Sequence, residues 1–159
     1  IEIISRNKTL SNDKTSVEEV CKNVLDHEKQ LGITYDYFCC LLATSPLRNQ
    51  NDILACKKKI LKKKVDFVMA TTDYYYNPYE SLSMLKSGRL RKNFRRENKE
   101  KTVVDNGSLY FCDTKKFLKC KTFYGPNLYS YHMSRKRSLD LNNYEDLDIL
   151  KIFYKDEYL

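Results

Sequence analysis

The sequence predicts an α/β fold with a mainly parallel central sheet, and three observations predict it. Tyr35 to Ala43 and Val65 to Thr71 are nearly unbroken apolar runs of strand length, the pattern of strands buried on both faces. Between them Ile53, Leu54, Cys56, Ile60 and Leu61 recur at helical spacing, with lysines on the opposite side. A strand, a helix and a second strand in that order form the parallel crossover unit, which is right-handed as a rule. At 159 residues the chain amounts to one ordinary domain.

Taken in order, Ile1 to Ile4 reads as a strand that begins abruptly, and residues 5–14 as a polar loop. Thr15 with Glu18 three residues on makes a capping box, followed by Val17, Val20, Cys21, Val24 and Leu25 at helical spacing. The predicted helix runs from about Ser16 to Gln30 and stops at Gly32. The first buried strand stops at Thr44-Ser45-Pro46-Leu47-Arg48, because proline cannot continue the ladder. Asn51 or Asp52 is the expected cap of the second helix. Ser81 to Phe94 reads as two strands around Lys86-Ser87-Gly88-Arg89, and Arg95 to Thr102 as a charged, partner-facing segment. Thr114 to Lys119 is a short helix, Leu128 to Met133 a strand, and Tyr144 to Tyr154 a closing helix capped by Asn143.

Composition narrows the function classes. With 42% apolar and 31% charged residues the chain is neither a disordered tail nor a membrane protein. No apolar run reaches the length of a spanning helix and no charged-then-apolar leader opens the chain, so a cytoplasmic protein with no membrane partner is expected. Six cysteines lie inside apolar or helical segments with no Cys-x-x-Cys pair, which favours reduced, packed thiols over disulfides or zinc. A net charge of +8 admits a polyanion partner. Its largest lysine runs, however, fall on the solvent face of the second helix, and a nucleic-acid partner is not expected.

Three clusters suggest a site. The exit Thr44 to Arg48 presents hydroxyls and a guanidinium at a strand's carboxyl end, where ligands of open parallel sheets lie. Asn106-Gly107 reads as a tight turn running into the alternating strand Ser108 to Asp113. Ser138-Leu139-Asp140-Leu141-Asn142 reads as a strand end, and residues two apart on a strand point the same way, so Asp140 and Asn142 aim their oxygens at one ligand. Each has a blander reading: Asn-Gly as a mere turn, Tyr110 as a core aromatic, Phe123 and Tyr124 as packing, Asp140 as a cap. Their joint order favours a site.

That order, Asp36 to Arg48, then Asn77-Pro78, Asn106 to Tyr110 and Ser138 to Asn142, resembles the acylneuraminate cytidylyltransferases, or CMP-sialic acid synthetases, including those for legionaminic and pseudaminic acids. The resemblance runs over nearly the whole chain and matches the part that follows the family's N-terminal CTP-binding loop. It implies one Rossmann-like nucleotidyltransferase domain over residues 1–159, N-terminally truncated, with a dimerisation hairpin within residues 79–104 and a homodimeric state. The implied reaction transfers CMP from CTP to a nonulosonic acid sugar: the anomeric oxygen attacks the α-phosphate and pyrophosphate leaves, with Mg²⁺ or Mn²⁺ as cofactor. The resemblance makes Asp140 the catalytic metal ligand, with Asn142 beside it. Thr44, Ser45, Arg48, Asn106 and Tyr110 become sugar-binding residues, and Phe123 and Tyr124 reach into the neighbouring subunit's pocket. Arg6, Asp13, Thr15 and Ser16 fall on the nucleotide side. Four departures stand out: the triphosphate loop is missing, Leu42-Ala43 replaces Gln-Pro, Glu80 stands for a lysine, and Asn142 for the second metal aspartate. They point to a different sugar acid, or to a non-catalytic remnant that binds sugar or dimerises.

Overall fold

The computed structural model describes residues 2–63, 65–93 and 100–158. Its main elements are α1 (Val17–Gln30), β1 (Tyr37–Leu41), α2 (Gln50–Lys63), β2 (Phe67–Thr72), β3 (Leu82–Met84), β4 (Leu90–Lys92), β5 (Val104–Asp113), α3 (Thr114–Cys120), β6 (Leu128–His132) and α4 (Tyr144–Tyr158). The fold is mixed α/β, as the sequence predicts, but the sheet is mixed rather than mainly parallel. Its strand order is β1-β5-β2-β6, and β5 runs antiparallel to β1, with Tyr37 opposite Asp113 and Leu41 opposite Leu109. The strands that α2 connects are therefore not neighbours, because β5 stands between them. Among the described strands only β2 and β6 run side by side in one direction: Asp66 N donates to Asn127 O (3.3 Å) at their starts, and Met133 N to Thr71 O (2.8 Å) at their ends.

The helix starts obey capping chemistry, with the caps of α1 and α2 displaced slightly from their expected residues. At α1 the box is Ser16 with Glu19: Glu19 N donates to Ser16 Oγ (3.2 Å), and Ser16 N to Glu19 Oε2 (2.8 Å). Thr15, the expected cap, donates its hydroxyl to Thr9 O instead. At α2 the cap is Asn49, whose side chain accepts from Asn51 N (3.0 Å), while Asp52 Oδ2 accepts from Asn49 N (2.7 Å). Asp52 is fully buried and its other oxygen takes the Tyr131 hydroxyl at 2.9 Å, so both of its oxygens are partnered. Asn143 caps α4 as expected, accepting from Asp146 N at 3.1 Å.

The other departures are local. Residues 2–4 carry no regular structure, where a strand is predicted. β1 is half-buried rather than buried on both faces, as its place at the edge of the sheet requires. β3 and β4 form the expected hairpin, with Leu82 opposite Lys92 and Met84 opposite Leu90. The charged segment predicted after it lies largely in residues 94–99, outside the described residues. Asn106-Gly107 does not end a strand but lies inside β5. Asp105 Oδ1 accepts Gly107 N (2.9 Å) and Asn106 Oδ1 accepts Ser108 N (3.2 Å), so side chains satisfy the backbone where the strand bends at Gly107 (φ +65°).

The chain divides into two compact units. The first comprises residues 1–42, 49–69 and 109–131, and the second residues 43–48, 70–108 and 132–159. The core of the first is Phe67, Met69, Tyr110, Cys112, Phe117 and Phe123, with Cys21, Leu25, Phe38 and Cys40 packed against it. Its aromatic rings are continuous: Tyr110 stacks on Phe123 (4.3 Å between centroids), Phe123 lies 5.5 Å from Phe117, and Phe117 meets Phe38 edge-on at 4.8 Å. All six cysteines are free thiols. Cys21, Cys39 and Cys40 line an apolar cavity of about 450 Å³ between α1 and β1 in this same unit. Burial pushes the Cys56 thiol up to about 12 and raises Cys112 as well, while Cys21 is raised first by its hydrogen bond with Cys40 and then by burial.

Candidate active site in the second unit

Six of the expected site residues belong to the second unit: Thr44, Ser45, Arg48, Asn106, Asp140 and Asn142. Residues 138–143 form no strand, so the expected strand end is an extended loop, held to the exit loop by Leu141 N donating to Thr44 O at 2.8 Å. Asp140 and Asn142 nevertheless face each other, with Asn142 Nδ2 at 3.2 Å from Asp140 Oδ2. The amide thus turns its nitrogen toward the carboxylate and steadies it. As a metal ligand it must rotate to present its oxygen.

Asp140 is the polar centre. Its Oδ1 is buried and has no hydrogen-bond partner. The carboxylate lies against Gly107, where a Cβ would stand 3.4 Å from both Cγ and Oδ2. Gly107 therefore answers two demands, a positive φ and a close neighbour. Two further buried polar atoms in this unit, Ser45 Oγ and Ser108 Oγ, also have no partner. Leaving such a group unmatched costs about 1–3 kcal/mol.

Asn106 is buried, and its amide is engaged on both sides: Nδ2 donates to Ser138 Oγ (2.9 Å) and Met133 S (3.4 Å), and Oδ1 accepts Ser108 N. Arg48 donates Nη1 to Ser45 O (2.9 Å) and Ser108 O (3.1 Å). Thr44 is exposed. Ser108, inside the Asn106 to Tyr110 stretch, and Asp73 are not among the site residues expected from the sequence. Asp73 pairs with Lys101 (2.9 Å) and His132 (3.1 Å), and the hydrogen bonds from these two, Lys101 first, hold its carboxyl below the usual range.

The remaining expected residues lie in the first unit. Tyr110 and Phe123 are buried there and stacked on each other, while Tyr124 is exposed. Arg6, Asp13 and Ser16 are exposed and Thr15 is half-buried. Ser16 is committed to the α1 cap.

An Mg²⁺ or Mn²⁺ ion fits the Asp140 corner in its chemistry. A hard cation takes one or two carboxylates, with substrate phosphates and water completing the shell, and the partnerless Oδ1 is such a donor. Among the described residues no group of three or more His, Cys, Asp or Glu side chains gathers into a self-sufficient cage. No described helix is long and apolar enough to cross a membrane.

No family model matches the sequence. Curated relatives do. The chain is 26% identical over 156 residues to the pseudaminic acid cytidylyltransferase of Campylobacter jejuni subsp. jejuni serotype O:23/36, an alignment covering 94% of this chain and 67% of that protein. It is 23% identical over 180 positions to the N-acylneuraminate cytidylyltransferase of Streptococcus agalactiae serotype V, covering 99% of this chain and 42% of that protein. The chain thus spans about two thirds of the first relative and less than half of the second. These relatives, at low identity but along most of the chain, support a likeness to the CMP-sialic acid synthetase family.

Proposed function

We propose that this chain serves the transfer of CMP from CTP to a nonulosonic acid, with release of pyrophosphate, and that the sugar is of the pseudaminic acid type. The names of the relatives support the reaction class, and the names of the first two support the sugar. They lend no support to a non-catalytic role. The observation that carries the reading is the Asp140 carboxylate, set against Gly107 with one buried oxygen unpartnered.

Each residue of that corner has work in such a reaction. Asp140 offers the fixed negative charge, and Asn142 steadies its second oxygen. Asn106 ties Ser138 to the β5 bend, which keeps the loop bearing Asp140 from drifting. A bound Mg²⁺ supplies charge neutralisation of the triphosphate and of the leaving pyrophosphate. Ser45 and Ser108 hydroxyls are further donors within the same unit. The activated sugar would feed surface-glycan synthesis. The β3–β4 hairpin, with Met84 78% exposed and Leu90 63% exposed, is the apolar face that a second copy covers in a homodimer. Sedimentation reports this directly, and a monomer at micromolar concentration removes the dimer from the reading.

The test is pyrophosphate release from CTP with Mg²⁺ and, separately, pseudaminic acid and N-acetylneuraminic acid, using the full protein that contains this chain. Release is expected with pseudaminic acid. Asp140→Ala is expected to lower it about a hundredfold, the scale of a lost metal-bound charge. An Asp140→Ala protein working at the wild-type rate would sink the assignment.

A further inference from the structure

Arg48 stands in the exit loop, and its guanidinium is directed at backbone. Nη1 donates to Ser45 O at 2.9 Å within the loop and to Ser108 O at 3.1 Å, 60 residues further along the chain. Ser108 follows Gly107, the residue against which the Asp140 carboxylate rests. The same loop reaches Asp140 from the other side, because Thr44 O accepts Leu141 N at 2.8 Å. Residues 44–48 thus tie together the two backbone segments that border the carboxylate, one at Gly107-Ser108 and one at Leu141.

We infer that Arg48 is a positioning residue: by clamping the Ser108 carbonyl it fixes the Gly107 bend, and so sets the Asp140 carboxylate for a divalent cation. The inference rests on the cation role proposed for Asp140. It gives Arg48 a different task from the substrate contact that its motif suggests. Both bonds leave one nitrogen, Nη1, held in the plane of a rigid guanidinium, whereas a lysine is shorter and ends in a point donor on a flexible stem. Arg48→Lys therefore keeps the charge and loses the clamp.

The experiment uses the full chain labelled with ¹³C at the aspartate carboxyl carbons, and Mn²⁺ as the probe, since its paramagnetism broadens nearby carbons. In the wild type the Asp140 carboxyl signal is expected to broaden first. In Arg48→Lys that signal is expected to shift before any metal is added, and half-broadening is expected to need about tenfold more Mn²⁺, the usual consequence of losing an outer support. Backbone amide signals elsewhere in the protein should stay in place. An Arg48→Lys protein with the wild-type Asp140 signal and the wild-type Mn²⁺ requirement overturns the inference. Should Arg48→Lys not fold, Arg48→Gln is measured in the same way. Loss of fold in both also overturns it, because Arg48 would then hold the whole unit rather than the carboxylate. Mn²⁺ that leaves Asp140 sharp in the wild type overturns the cation role itself, a failure distinguishable because it involves no variant.

Discussion

Replacing Phe117 by alanine is expected to destabilise the protein by about 4 kcal/mol, read as a shift of the guanidinium unfolding midpoint. Phe117 is completely buried and lies in the middle of the aromatic chain, edge-on to Phe38 and 5.5 Å from Phe123. Truncation removes the transfer free energy of the ring, two aromatic contacts of about 0.5–1.5 kcal/mol each, and leaves a cavity that its neighbours fill only in part. Tyr110 and Phe123 are stacked on each other and are poorly placed to collapse into the gap. A midpoint shift corresponding to less than 1 kcal/mol would mean that the core repacks freely around α3, against this account.

Gly125→Ala is expected to cost about 3 kcal/mol, although it adds a single methyl group. A Cβ at this position would stand 2.3 Å from Phe67 Cε2 and 2.6 Å from Cζ, well inside van der Waals contact. Phe67 cannot step aside cheaply, because it is 1% exposed and packs in the core with Met69, Cys112 and Phe123. The opposing gain, a less flexible unfolded chain, is worth only about 0.4–1 kcal/mol, so the clash wins. A second variant isolates the cause. Phe67→Leu alone costs stability, but combined with Gly125→Ala the two penalties should sum to more than the double mutant loses, with a coupling of at least about 1 kcal/mol. Strict additivity would place the Gly125 effect elsewhere.

Local chemistry was legible in the sequence and long-range pairing was not. The start of α1 shows how close the reading comes: Thr15 with Glu18 and Ser16 with Glu19 both satisfy the capping pattern, and only the backbone selects the second. The buried strand β2 and the lysine-faced helix α2 follow from periodicity alone. The insertion of β5 between β1 and β2 does not, because it depends on pairing between residues about 70 positions apart in sequence, for which no local pattern codes. Asn106-Gly107 was read as a turn because that pair favours left-handed backbone angles. Asp105 and Asn106 take up the freed N–H groups, so the strand bends and continues. The spacing of Asp140 and Asn142 suggests two oxygens aimed at one ligand from a strand, whereas residues 138–143 form no strand and the Asn142 amide turns its nitrogen onto the Asp140 carboxylate. The place of Gly107 beneath Asp140 was hidden, since it joins two segments that only the folded chain brings together.

The thiols of the first unit have a practical consequence. Burial pushes the Cys56 thiol up to about 12 and raises Cys112 as well, so both sulfurs stay in the unreactive thiol form at neutral pH. Both side chains are also sealed from solvent. Alkylating reagents therefore find these two sulfurs only when the surrounding structure opens. The rate at which they become labelled is a clock for the opening of the core, readable by mass spectrometry in crude samples. Phe117→Ala and Gly125→Ala should both make that clock run faster, without any need to purify an active protein.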